Sequence, residues 1–177
     1  MSNRRVPESE GFVYVPATIS EADPLTDTVT SEIRSRMMAS IKGKDTKPEM
    51  AIRKGLHALG FRYGLHTNRF PGRPDMVLPK YHAVIWTHGC YWHGHDCGAA
   101  KLPSSNETYW HPKIERTRAR DIRNAEAVAA AGWRSLTVWE CCLRGRNRPG
   151  IERVLDAAAQ WLRNGEESRE FHVNSNF

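Results

Sequence analysis

The chain has no apolar run approaching the roughly twenty residues of a membrane span, so no transmembrane anchor is expected. Its N-terminus has no hydrophobic h-region, so no secretory leader is expected either, and a cytoplasmic setting follows. Cysteine is sparse, four in 177 residues, and clusters with histidine and acidic residues. That pattern excludes a disulfide scaffold and fits a reducing compartment. No internal repeat or low-complexity tract is present, which excludes a repeat architecture. Negative charge is in deficit, with 20 Asp and Glu against 26 Lys and Arg, a formal net charge of +6. An anionic partner is favoured, nucleic acid first.

What remains is enough for one domain with a real core, at 40% hydrophobic residues. Residues 1–29 show no sustained period and read as a mobile N-terminal arm. The ordered domain is expected over 30–165, with 166–177 as a C-terminal tail. Ile33, Met37, Met38 and Ile41 lie at helical spacing and Gly43 ends the run. In "DTKPEMAIRKGLHALG", Thr46 and Glu49 form a capping box with Pro48 in the first turn. Ile52, Leu56 and Leu59 make the apolar stripe, and Gly60 stands at C′.

A strand is expected from Phe61, then "DMVL" and "HAVIWT", with Ala83 to Trp86 central and buried on both faces. A polar loop runs to about Trp110. A long helix covers roughly Pro112 to Ala131, "WRSLTVWE" is a fourth strand, and a last helix runs from about Gly150 to Asn164. This order implies an α/β sandwich around a mixed sheet.

The chemistry concentrates in Thr87–Cys97, "THGCYWHGHDC", which directly follows the central strand. Zinc prefers thiolate and imidazole ligands in a tetrahedron. Cys90, His95 and Cys97 supply C-x4-H-x-C, and Cys141 or Cys142 can complete a closed, structural set; His88, His93 and Asp96 are further donors in the loop. Asp75 opens a strand whose neighbour ends at Thr87, where oxygens could hold Mg2+. A lone Asp at that point also suits a turn or strand edge, and Glu49 is already explained as the N3 acid of its capping box. Lys113, Arg116, Arg118, Arg120 and Arg123 make one helix basic, as a solvated face or as a phosphate contact. Tyr91 and Trp92 either pack on the metal loop or wedge between bases.

"PGRPDMVL", "VIWTHGCYWHGHDC", "YWHPKIERTRARDIR" and "GWRSLTVWECCLRGR" together resemble the very short patch repair endonucleases, in collinear order over about Ser31 to Arg146. The resemblance implies a mixed β-sheet flanked by helices, a restriction-endonuclease-like core of the PD-(D/E)xK type, with a structural zinc site. It implies nicking of double-stranded DNA at a T:G mismatch, 5′ of the mispaired thymine, where 5-methylcytosine has deaminated. It places the catalytic acid on Asp75, the Mg2+-binding main-chain oxygen on Thr87 and the active-site histidines on His88 and His93. The acid orienting the second histidine falls on Asp121, and the helix-borne Glu on Glu49. The Zn2+ ligands fall on Cys90, His95, Cys97 and Cys141. The intercalating residues fall on Met38, Tyr91 and Trp92, with further DNA contacts on Lys113 and Thr117.

Two departures stand out. Gly94 and Asp96 interrupt the run of histidines that relatives carry, and Thr117 replaces a frequent Asn. The setting implied is a monomer in the bacterial cytoplasm, on the nucleoid when bound to DNA and in contact with mismatch-repair proteins. The rival classes are a zinc-stabilised DNA-binding module without hydrolysis and a restriction-type nuclease acting on matched DNA.

Overall fold

The computed structural model describes residues 30–39, 43–98, 107–145 and 148–176; the expected N-terminal arm, 1–29, lies outside the described residues. Helix α1 spans Ser31–Ala39. Ile33, expected on its apolar face, is exposed. Ile41 and the side chains of Met37 and Met38 lie outside the described residues.

Helix α2, Lys47–Ala58, starts where the sequence says it should. The Thr46 side chain accepts from the Glu49 N–H and the Glu49 carboxylate accepts from the Thr46 N–H, with Pro48 in the first turn. Two orphan donors of the helix start are thereby satisfied reciprocally. Ile52 and Leu56 are buried, whereas Leu59 is largely exposed. Helix α4, Ile151–Asn164, buries Val154, Ala158, Ala159, Trp161 and Leu162. The two helices cross at Gly55, where an added Cβ would come within 2.2 Å of Leu155 Cδ1.

The sheet has five strands in the order β1-β2-β3-β4-β5. They are β1 Gly64–Leu65, β2 Met76–Leu78, β3 Ala83–His88, β4 Arg134–Trp139 and β5 Arg169–Phe171. The first two pairings are antiparallel, and β3, β4 and β5 run parallel. Alternate residues of the strands face opposite ways. Met76, Leu78, Ala83, Ile85, Leu136, Val138 and Phe171 pack under α2 and α4. Val77, Val84 and Trp86 meet Phe70, Trp133 and Val128 of α3, Glu107–Ala130, on the other face. The result is a helix–sheet–helix sandwich around a mixed sheet.

Three expectations change. The strand expected from Phe61 shrinks to Gly64–Leu65, because the Phe61 N–H closes the end of α2 on the Leu56 carbonyl and its ring enters the core. Helix α3 starts at Glu107 and runs through Pro112, so the loop expected to reach Trp110 is shorter. Residues 169–171, expected in a tail, form the edge strand β5. Among the described residues no helix is long and apolar enough to cross a membrane.

Arg134 ties the end of α4 to the sheet. Its guanidinium donates to the carbonyls of Tyr81, Trp161, Leu162 and Glu166 and stacks over the Trp161 ring. Those of Trp161 and Leu162 belong to the last turn of α4, which has no helical partners for its carbonyls. Arg134→Ala is expected to cost about 3 kcal/mol, the scale of lost charged hydrogen bonds plus carbonyls left unmet, as read by urea unfolding.

Candidate active site and metal centre

The site forms where strand ends converge. β3 and β4 pair in parallel register, with Thr87 beside Val138 and His88 beside Trp139. Cys90 and Cys141 each follow two residues after the last pair, so their thiols emerge at the same edge. The loop after β3 then turns back through hydrogen bonds from His93 N–H to the Gly89 carbonyl and from His95 N–H to the Cys90 carbonyl. The ligating atoms of Cys90, His95, Cys97 and Cys141 lie within 4.8 Å of one another. Cys142 is fully buried among core residues instead. The turn Glu140–Cys142 separates the two adjacent cysteines.

All four cysteines are free thiols. Burial pushes the Cys90 thiol well above the usual range and raises that of Cys141. Three thiols and an imidazole converging on one point are the donor set of structural zinc, and a bound dication would remove the cost of ionising them. Trp139 supports this group: its ring stacks on His95, with centroids 4.2 Å apart and planes at 12°.

A second group faces an open cleft of about 1280 Å³ lined by Asp75, Thr87, His88, His93 and Asp121. Met76 pairs with Ile85, so Asp75 lies just beyond the pairing, and its Oδ2 accepts from the Thr87 N–H at 2.7 Å. Burial raises the Asp75 carboxyl to about 7 against the Thr87 hydrogen bond, and the nearby Glu49 charge adds to the rise. Among the described residues, the Thr87 hydroxyl oxygen is buried without a partner. An acid disfavoured as an anion by its surroundings, beside an unmet oxygen, suits a hard divalent cation.

His93 Nδ1 lies 2.6 Å from Asp121 Oδ2. Burial acts to raise Asp121, but its hydrogen bond to His93 holds it below the ordinary carboxylate range. An ionised carboxylate only accepts, so Nδ1 is the donor in this pair. His88 stacks on His93 at 3.8 Å and 12°. Burial, then the His93 charge, pushes His88 down to about 3, so it is neutral near pH 7.

Glu49 is buried, and its acid is matched. Oε2 faces the Thr46 N–H, while Oε1 accepts from Arg53 at 3.0 Å and lies 3.3 Å from His66 Nε2. Arg53 also binds Asp45. The ligand-type atoms of Asp45, Glu49 and His66 cluster, but the Arg53 guanidinium already supplies the positive charge there.

The aromatic group sits on the outer side of the same loop. Tyr91 and Trp92 meet edge to face at 4.8 Å, and both rings approach Trp110 of α3. Lys113 Nζ lies 4.9 Å from the Trp110 ring and 6.0 Å from that of Trp92. The Thr117 hydroxyl is turned back onto the Lys113 carbonyl. Gly94 has φ of +66°, and a Cβ there would come within 2.3 Å of Ile114 Cγ2. The interruption at Gly94 is thus a place where loop and α3 touch. Met38, whose side chain lies outside the described residues, has no placement relative to this group.

The family model for the DNA mismatch endonuclease Vsr matches residues 26–99. The type II nicking enzyme V.XorIIP of Xanthomonas oryzae pv. oryzae is 47% identical over 134 residues, which are 75% of this chain and 98% of that protein. The chain belongs to the Vsr family of DNA mismatch endonucleases. The type II nicking enzyme V.NmeAIP of Neisseria meningitidis serogroup A is 42% identical over 122 residues, 69% of this chain and 87% of its own length. The DNA mismatch endonuclease Vsr of Escherichia coli is 36% identical over 138 residues, 78% of this chain and 88% of its own.

The fold adds residues to this Vsr-family site that the sequence reading assigned no role. Trp110 completes the aromatic group, Trp139 backs three histidines, and Arg53 and His66 hold Glu49. Trp110 had a readable signal, since it falls one helical turn before Lys113. His66 had none, because a turn with positive φ brings it back to α2.

Proposed function

We propose that this chain is a Mg2+-dependent endonuclease that nicks one strand of double-stranded DNA 5′ of the mispaired thymine at T:G, starting the short-patch repair of deaminated 5-methylcytosine. The observation that carries it is the loop Cys90–Cys97. It holds His93 in the cleft beside Asp75 while presenting Tyr91 and Trp92 next to Trp110. Closed thiol and imidazole ligation by Cys90, His95, Cys97 and Cys141 suits structural Zn2+, which would keep that loop rigid. The proposed unit is residues 30–165 extended by β5. It acts as a monomer in the bacterial cytoplasm, on the nucleoid when bound to DNA, and contacts mismatch-repair proteins. The arm 1–29 precedes it.

Asp75 and the Thr87 main-chain oxygen would hold Mg2+, which when bound stabilises negative charge on the reacting phosphate. The protein's own groups do the rest. Asp121 orients His93, and Nε2 accepts the proton of the attacking water. Neutral His88 stacks beneath His93 and offers its ring nitrogens to phosphate or water. Glu49, buried behind the site, shapes the Asp75 environment through its charge. Tyr91, Trp92 and Met38 open the stack, and Lys113 and Thr117 contact the DNA beside them. Unstacking costs a few kcal/mol per step. A wobble pair lowers that cost, and this difference selects the mismatch.

The test is a T:G duplex labelled on both strands, with and without Mg2+. A single nick in the thymine strand that needs Mg2+ supports the reading. Binding without cleavage supports the DNA-binding module, and cutting of both strands supports the restriction-type nuclease. His93→Ala is expected to slow nicking about a hundredfold while zinc content, read by atomic absorption, stays unchanged. Trp92→Ala is expected to shrink the rate ratio between T:G and matched DNA about tenfold, because base–aromatic stacking contributes about 1–3 kcal/mol. Single-turnover rates on the two duplexes check it.

A further inference from the structure

The three parallel strands end side by side, and the third brings in a segment with no assigned role. Val138 of β4 pairs with Phe171 of β5. The chain after Phe171 therefore continues beside the turn that carries Cys141. There the Val173 N–H donates to Cys141 Sγ at 3.3 Å. One strand residue earlier, Glu170 Oε2 accepts from Trp139 Nε1 at 2.8 Å. Trp139 is the ring on which His95 stacks. The His172 ring approaches the other side of this group, 5.7 Å from His95.

The segment is itself held in shape. The Ser175 N–H donates to the His172 carbonyl at 2.8 Å, and the His172 N–H donates to Ser175 Oγ at 2.9 Å. The Asn174 N–H donates to His172 Nδ1 at 3.3 Å, which fixes that ring. Val173 packs against Cys90, Trp139 and Cys141.

We propose that β5 and the turn His172–Ser175 form the outer shell of the metal centre and govern how long it keeps its metal. The proposal rests on the zinc reading given above. An N–H aimed at a thiolate stabilises the anion that binds the metal, and a stacked, hydrogen-bonded ring keeps the imidazole ligand in place. Outer-shell partners of this kind alter metal affinity about 10–100-fold. Val173 acts through Cys141 and Glu170 acts through Trp139 and His95, so both are positioning residues.

The experiment uses full-length protein, loaded with Zn2+ for release kinetics into a chelator and with Co2+ for spectra, well below the melting temperature. Val173→Pro removes the N–H, whereas Val173→Ala keeps it. Release from Val173→Pro is expected about tenfold faster than from wild type, with Val173→Ala within about twofold. The sulfur-to-cobalt charge-transfer band of Val173→Pro should move to lower energy, because the thiolate lone pairs lose a hydrogen bond. Should Val173→Pro not fold, Glu170 decides: Glu170→Ala should release zinc several-fold faster, and Glu170→Gln, which keeps an acceptor, should recover most of the difference. Wild-type release from every folded variant overturns the outer-shell role and leaves the zinc ligands standing. Wild-type protein that holds no tightly bound zinc overturns both.

Discussion

Asp75→Ala is expected to bind T:G DNA and not nick it. The carboxylate sits at the mouth of the sheet, held by the Thr87 N–H at 2.7 Å. Burial and the Glu49 charge disfavour its anion, and a bound cation would offset that cost. A metal supplies several kcal/mol of charge stabilisation in phosphoryl transfer, and each 1.4 kcal/mol is tenfold in rate. Nicking should therefore fall by about 10³-fold or more. DNA affinity, carried by basic and aromatic groups elsewhere, should change little. Alanine also relieves a buried acid, so the variant should fold. The measurement pairs single-turnover nicking with a binding titration in Ca2+. Wild-type-like nicking would remove Asp75 from the site.

The second large effect lies in the proposed zinc site. His95→Ala and Cys141→Ser should lose zinc and melt at least about 10 °C lower, because a closed structural site contributes its binding energy to folding. Cys142→Ser is the contrast. Its thiol is fully buried in the core, in contact with Cys141 but outside the set of four clustered ligands. It should keep zinc and melt only a few degrees lower, the cost of a hydroxyl placed among apolar groups. Zinc content by atomic absorption and melting by circular dichroism separate the two classes. Zinc retained by Cys141→Ser and lost from Cys142→Ser would reverse the ligand choice.

The two cysteines show where sequence reading stops. Spacing offered Cys141 and Cys142 equally, because the choice depends on the phase of a three-residue turn, which is set by the end of β4. Local signals were legible: the Thr46–Glu49 capping box and the apolar run Ala83–Trp86 each need only their own neighbours to be read. Non-local ones were not. β5 is three residues long with one buried side chain, and only its parallel pairing with β4 makes it a strand. Helix α3 was expected to begin at Pro112, a residue suited to a first turn. Instead the helix starts five residues earlier, and Trp110 packs on Tyr91 of the loop after β3. Pairings such as His93 with Asp121, 28 residues apart, came from the family resemblance and have no trace in periodicity.

The proposed nickase selects a mismatch and needs Mg2+. Its most direct test is single-turnover cleavage of one end-labelled duplex made in three forms, with T:G, T:A or C:G at the same position. One product is expected, cut 5′ of the mispaired thymine and formed at least about a hundredfold faster from the T:G duplex than from either matched duplex, the scale of two stacked rings at about 1–3 kcal/mol each. Equal rates on all three duplexes, or a cut in the opposite strand, would contradict it.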